Sequence, residues 1–145
     1  MTINWYHNDI IFNEENIDDN YGFIYVITNL TNDKKYIGKK FFYSMKSKII
    51  KGKKKKYKII SDWQTYYGSN TELQNDVKSL GESNFKREII HLCKSKGECG
   101  YLEAKEQFDR CVLESEQYYN NWIMVRVRKT HIKAYNDRIL ASIKE

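Results

Sequence analysis

Two short apolar strings separated by a polar segment constrain the fold of this chain more than any other feature. Phe23-Ile24-Tyr25 and Tyr36-Ile37-Gly38 are aromatic or β-branched except for the last glycine, and the polar segment between them is rich in Asn and Thr. This pattern predicts a β-hairpin over about residues 22–42. We expect Tyr25 and Tyr36 to project from one face of the hairpin, with Gly38 leaving the backbone beside them uncovered.

The remaining periodicity predicts a small α+β domain. Leu73, Val77 and Leu80 recur at helical spacing, which predicts a helix over 70–80 with Ser69 or Asn70 as its cap and Gly81 as its stop. Further elements follow in chain order: a strand over 85–93, a loop over 94–100, a helix over 101–114, a strand over 123–127 and an amphipathic helix over 131–145.

Charge is distributed unevenly along the 145 residues, whose net charge is +6. Residues 1–20 hold five acidic residues and neither Lys nor Arg, so we expect an irregular acidic lead-in there and a single domain over 21–145. Eight of the thirteen residues in the insert 46–58 are lysine. This lysine run is either a disordered, solvated loop or a surface that binds a polyanion such as nucleic acid.

The composition also excludes several classes of protein. No stretch approaches the roughly 20 apolar residues of a membrane span, and the N-terminal residues do not have the pattern of a signal peptide. Three cysteines are an odd number, which favours a reducing compartment over a disulfide framework. We therefore expect a cytoplasmic protein with no membrane partner.

The two strings resemble the signature of the GIY-YIG nuclease superfamily. Tyr36-Ile37-Gly38 matches its second half, whereas Phe23 stands at the place of the family's first glycine, one position after Gly22. Other segments are similar to phage-encoded, Seg-like members related to homing endonucleases: Tyr67-Gly68-Ser69, Asn84-Phe85-Lys86-Arg87-Glu88-Ile89-Ile90, Glu103-Ala104-Lys105-Glu106-Gln107-Phe108 and Tyr119-Asn120. The resemblance covers about residues 22–123.

The resemblance implies both a fold and an activity. The fold is an α+β unit in which helices flank a three-stranded antiparallel sheet. The activity is metal-dependent hydrolysis of phosphodiester bonds in double-stranded DNA, by a protein of phage or mobile-element origin acting in the host cytoplasm.

The resemblance also assigns a metal ligand. Glu106 matches the glutamate that holds a single Mg²⁺ or Mn²⁺, and Glu103 competes for the same role. The residues by themselves favour a surface salt bridge between Glu106 and Arg110, four positions on.

Three further catalytic residues follow from the two strings. The resemblance makes Tyr36 the base that acts on water directly or through a relay, Tyr25 the group that holds water or phosphate, and Lys39 a substrate contact. We expect Lys39 and Lys40 to favour the phenolate of Tyr36. The alternative for both tyrosines is ordinary packing on a sheet.

One family feature is missing, because no arginine occurs between the second string and Arg87. Either Lys46 or Lys48 substitutes for the family's phosphate-binding arginine, or an arginine comes from elsewhere in the fold. Asn120 supports the glutamate or substrate, or it caps a turn. The remaining DNA contacts are expected from the lysines that follow the hairpin: Lys40, Lys48, Lys51, Lys53, Lys54, Lys55, Lys56 and Lys58.

Two other functions compete with the nuclease. A protein of the same fold could bind nucleic acid without cutting it, which the missing arginine favours. The lysine run could instead meet an acidic protein partner.

Overall fold

The structure is a computed structural model that describes residues 3–144. Its strands are β1 (Trp5–His7), β2 (Ile10–Phe12), β3 (Gly22–Asn29), β4 (Lys34–Phe41), β5 (Tyr43–Ile50), β6 (Lys53–Ile60) and β7 (Phe85–Cys93). Its helices are α1 (Thr71–Leu80), α2 (Lys96–Asp109) and α3 (Lys133–Lys144). Every helix in the described residues is too short or too polar to cross a lipid bilayer.

The main sheet is five-stranded and mixed, in the order β2-β1-β7-β3-β4. β3 pairs antiparallel with both β4 and β7, and β1 pairs parallel with β7. The expected α+β class is therefore confirmed, but the expected three-stranded antiparallel sheet is wrong because two more strands extend it.

Those two additional strands come from the acidic lead-in. β1 and β2 form a short hairpin, and the Trp5 side chain is buried against the rings of Phe23 and Tyr25. The expectation of irregular structure over residues 1–20 is wrong for this part, because burial of apolar side chains outweighs the acidic composition around them.

The predicted hairpin over 22–42 is confirmed by β3 and β4. Tyr25 lies opposite Gly38 and Ile27 lies opposite Tyr36, so both tyrosines are on one face. Every residue of β3 is buried, because apolar clusters cover both faces of the sheet. An aromatic cluster that includes both tyrosines covers one face, and α2 packs on the other beside Ile24 and Ile37.

The lysine run forms a separate two-stranded ribbon of β5 and β6. Lys51 and Gly52 make its two-residue turn, with φ of 52° and 75°, as the twist of a tight hairpin requires. The disordered-loop interpretation is therefore wrong. The low strand propensity of lysine hides this element in the sequence.

The helix over 70–80 is confirmed, with the Asn70 side chain accepting a hydrogen bond from the Leu73 N–H at 2.9 Å. The terminal helix is also confirmed, although it begins at Lys133. The middle helix was placed too late: Ser95 caps α2, which begins within the predicted loop and ends at Asp109. The predicted strand over 123–127 is wrong, since these residues have no regular structure.

Candidate active site

The site is built on the tyrosine pair of the β3–β4 hairpin. The ring centroids of Tyr25 and Tyr36 lie 6.1 Å apart. A Cβ added at Gly38 would lie 2.4 Å from the Tyr25 hydroxyl oxygen. The phenol of Tyr25 therefore occupies the space above this glycine, and the expectation of uncovered backbone there is wrong.

A third tyrosine, Tyr66, completes the cluster from the segment before α1. Its ring centroid is 6.0 Å from that of Tyr25, and the two side chains share a hydrogen bond. Two positions later Gly68 has a φ of +85°, where a Cβ would lie 3.3 Å from the Tyr25 hydroxyl. Ser69 then places its Oγ 3.2 Å from the Tyr36 hydroxyl. The sequence reasoning gave Tyr66 no catalytic role, although an aromatic run ending in Gly-Ser marked the turn.

The outer edge of β4 is covered by the segment after α2 and by α2 itself. The Ile37 N–H donates to Asn120 Oδ1 at 3.0 Å, and Asn120 Nδ2 donates to the Ile37 carbonyl at 2.8 Å. Gln107 Nε2 donates to the same carbonyl at 3.0 Å. Both halves of the Asn120 amide thus bond to the strand between Tyr36 and Gly38. We therefore interpret Asn120 as a positioning residue.

Helical phase decides which glutamate of α2 faces this edge. Glu103 lies one turn before Gln107, so both side chains point toward β4. The Glu103 Oε1 is 3.6 Å from Lys39 Nζ, and the Glu103 side chain is only 16% exposed. Glu103 is therefore the α2 carboxylate placed at the strand that carries Tyr36.

Glu106 faces β7 and the end of its own helix. Its Oε1 lies 2.7 Å from His91 Nε2, and its Oε2 accepts a hydrogen bond from Arg110 Nε at 2.9 Å. Burial works to raise the pKa of Glu106, but the bonds to His91 and Arg110 outweigh it and lower that pKa. Both carboxylate oxygens are therefore engaged, and the salt bridge expected from the residues alone is present.

The electrostatics of the tyrosine cluster favour the neutral phenols. Burial raises the pKa of Tyr25 well above its usual value, and the neighbouring phenols add to this effect. Burial also raises the pKa of Tyr36, against a hydrogen bond with Ser69 that lowers it. The nearby Glu103 charge raises both values further. The expectation that Lys39 and Lys40 favour the Tyr36 phenolate is therefore wrong.

The two lysines after Gly38 lie near carboxylates. Lys39 stands beside Glu103, where it partly offsets the burial that raises the pKa of that carboxyl. Lys40 Nζ is 2.6 Å from Asp62 Oδ1 and 4.1 Å from the centroid of the Tyr66 ring. Lys46 and Lys48 project from the exposed ribbon. The structure thus places Lys39 and Lys40 next to the site and Lys46 on the ribbon.

This arrangement of two tyrosine strings and a helix-borne glutamate has a known counterpart. Residues 5–123 match the family described as "Putative endonuclease segE, GIY-YIG domain". The chain belongs to this GIY-YIG family. The resemblance of the two strings to a phage-type GIY-YIG protein is thereby confirmed.

One curated relative of this GIY-YIG chain is the "Putative endonuclease segE" of Enterobacteria phage T4. The two are 32% identical over 100 residues, which is 69% of this chain and 40% of the relative. The chain thus matches less than half the length of that protein. No solved structure matches it.

Proposed function

We propose that this GIY-YIG protein is a metal-dependent endonuclease that hydrolyses phosphodiester bonds in double-stranded DNA. One observation carries the proposal. The Glu103 carboxylate, which comes from α2, lies beside Lys39 and close enough to act electrostatically on both Tyr25 and Tyr36. A carboxylate, an ammonium group and hydroxyls thus converge from separate parts of the chain, as general acid–base and electrostatic catalysis require.

Glu103, rather than Glu106, would hold the divalent cation. No group of three His, Cys, Asp or Glu side chains within residues 3–144 forms a metal cluster. A lone carboxylate suits Mg²⁺ or Mn²⁺, because Mg²⁺ keeps several waters and takes its remaining ligands from substrate phosphates. The cation would supply a positive charge against the charge that develops on the phosphate oxygens. Glu106 is less suited, since His91 and Arg110 already bond to its two oxygens.

The phenols act in their protonated forms at neutral pH, because burial raises both pKa values. Tyr36 orients the attacking water, and its contact with Ser69 Oγ offers a route for a proton to leave. Tyr25 orients the site through the Tyr66 hydroxyl. In the reaction, the water oxygen bonds to phosphorus, the bond from phosphorus to the leaving oxygen breaks, and that oxygen gains a proton.

The ribbon of β5 and β6 would bind the DNA. Each of its strands has eight residues, which span about 27 Å at about 3.4 Å per residue. The major groove of B-DNA admits a two-stranded ribbon of this kind. Because the β6 residues are all exposed, their lysines can reach phosphates without first leaving a buried site.

Plasmid nicking by paired glutamine variants tests the nuclease proposal. With Mg²⁺ present, we expect Glu103→Gln to lower the rate of nicking by about a hundredfold or more, since a transition-state charge partner is lost. Glu106→Gln, on the same helix, should retain most of the activity. The reverse ranking would reassign the metal ligand to Glu106. An inactive wild-type protein with either Mg²⁺ or Mn²⁺ would refute the nuclease.

A non-cleaving nucleic-acid-binding protein of the same fold is the second candidate. The observation in its favour is the raised pKa of both phenols, which leaves neither as a ready base at neutral pH. The nicking experiment separates the two candidates. A wild-type protein that shifts DNA in a gel and leaves it uncut with metal present would be this binder.

A further inference from the structure

Two surface depressions meet beside the candidate active site and share two lysines. The first has a volume of about 390 Å³, lies at the foot of the ribbon and includes Ser44 and Met45 in its lining. The second has a volume of about 380 Å³ and lies between the start of α2 and the segment 124–127. Lys39 and Lys96 line both. The two depressions therefore form one groove that passes the Lys39–Glu103 pair.

The lining of this groove is basic. Lys39, Lys40, Lys96 and Arg126 all contribute to it, together with His131, and no Asp or Glu is among its described lining residues. Lys39 and Lys40 have carboxylate partners at its margin. Lys96 and Arg126 are exposed, and neither forms an ion pair with a carboxylate within residues 3–144. A concave surface with uncompensated cations favours a polyanionic ligand.

The segment without regular structure supplies the far wall. Ile123 packs against the apolar cluster beneath α2, and a Cβ at Gly100 would lie 3.9 Å from Val127 Cγ2. These contacts hold the segment against the helix. Arg126 lines the groove between them, whereas Arg128, two positions later, does not.

We infer that this groove binds the sugar–phosphate backbone of duplex DNA beside the position of cleavage, with Arg126 and Lys96 as phosphate contacts. The inference rests on the proposed function, because it takes DNA as the partner. The groove runs from the ribbon foot past Lys39 to Arg126. A duplex held by the ribbon would therefore extend along the groove and bring a phosphate to Glu103.

The test is the salt dependence of binding, measured by fluorescence anisotropy of a labelled duplex in EDTA. Each lost phosphate contact lowers the slope of log K against log salt by about 0.9 for B-DNA. We expect Arg126→Ala and Lys96→Ala each to lower the slope by about that amount. Arg128→Ala is the matched control, since it removes the same charge two residues away, and it should change the slope by less than half as much.

Equal slopes for the Arg126→Ala and Arg128→Ala variants would overturn the groove, because the effect would then come from overall charge. Displacement of the wild-type protein from the duplex by equal charge concentrations of poly-glutamate would also overturn it, in favour of an acidic protein partner. The measurement contains no metal and no cleavage. An uncut plasmid with the expected slopes would therefore refute the nuclease and leave the groove standing.

Discussion

Glu103 and Glu106 show how far two identical residues can differ when three positions separate them on one helix. Burial is the largest influence on both, but only Glu106 has two hydrogen-bonding partners that outweigh it. The pKa of Glu103 is therefore raised and that of Glu106 is lowered. A raised carboxyl pKa means that the charged form is less favourable in the folded state than in the unfolded state.

The two glutamine variants should consequently change stability in opposite directions. The stabilising effect of Glu103 is present below its unfolded pKa and is lost as pH rises through the raised folded value. That of Glu106 is present above its unfolded pKa and is lost as pH falls through the lowered folded value. At pH 7 we expect Glu103→Gln to raise the free energy of unfolding and Glu106→Gln to lower it, as measured by urea denaturation. Shifts of the same sign in both variants would contradict this assignment.

Gly38 is required by the approach of the Tyr25 phenol. An alanine Cβ there would lie 2.4 Å from the Tyr25 hydroxyl oxygen, so the ring or the strand must move. We expect Gly38→Ala to destabilise the protein by about 1–3 kcal/mol, the usual range for overpacking. Chemical denaturation measures the change.

Gly100→Ala is the control for that substitution. Gly100 lies within α2, and its added Cβ would meet neighbours only at an ordinary 3.9 Å. Alanine should therefore be neutral or stabilise the helix by up to about 1 kcal/mol. Equal losses at both glycines would show that crowding against Tyr25 is not the cause.

At the scale of the element, the ribbon stands apart from the main sheet. β5 pairs with β6 alone, and Phe42 and Ser61 tie its foot to the domain through backbone hydrogen bonds. Phe42 is fully buried, whereas all residues of β6 are exposed. The foot is thus part of the core, and the outer part of the ribbon depends little on it.

Shortening the ribbon should therefore separate DNA binding from folding. Met45 lies opposite Lys58, so residues 46–57 can be replaced by an Asn-Gly turn that joins this pair. We expect the melting temperature to change by only a few degrees. The salt slope of DNA binding should fall by several units, because seven lysines are lost.

A full-length control distinguishes charge from shape. Replacing Lys53, Lys54, Lys55 and Lys56 by glutamine keeps the ribbon and removes four of the positive charges. This variant should lower the salt slope in proportion. Full DNA affinity in both ribbon variants would place the DNA elsewhere.

At the scale of the whole molecule, Arg87 connects the N-terminal strands to the site. It is completely buried, and its guanidinium lies 4.6 Å from the Trp5 ring centroid and 4.4 Å from that of Tyr67. It donates hydrogen bonds to the carbonyls of Ile3 and Tyr66. Burial lowers the pKa of Arg87 to about 10, which still leaves it charged at neutral pH. The segment that carries Tyr66 is thereby bound to the start of the chain.

Removing the Trp5 ring should weaken the whole domain. Trp5 is 2% exposed, and its indole N–H donates to the Trp63 carbonyl at 2.8 Å. We expect Trp5→Ala to lower the free energy of unfolding by about 3–5 kcal/mol. Ile10→Ala on neighbouring β2, where the side chain is 71% exposed, should cost less than about 0.5 kcal/mol. A loss below about 1 kcal/mol for Trp5→Ala would mean that the N-terminal strands are not part of the core.

The elements with strong local patterns could be predicted from the sequence. The β3–β4 hairpin, α1 and β7 have clear periodicity, and the chain forms them where it predicts them. β1 could not be found this way, because its three residues are stabilised by Trp5 packing on distant strands. The choice between Glu103 and Glu106 depended on the rotation of α2 relative to β4, which pattern within the helix does not specify.

The amides of Asn120 and Gln107 have one more consequence. They bond to the backbone of Ile37, while Lys35 pairs with the neighbouring segment through Gln117 and Tyr119. An unpaired outer strand normally offers a template on which other polypeptides can add, leading to aggregation or domain swapping. In this molecule β4 is protected along that stretch, so the strand that carries Tyr36 should resist intermolecular pairing even in a concentrated solution.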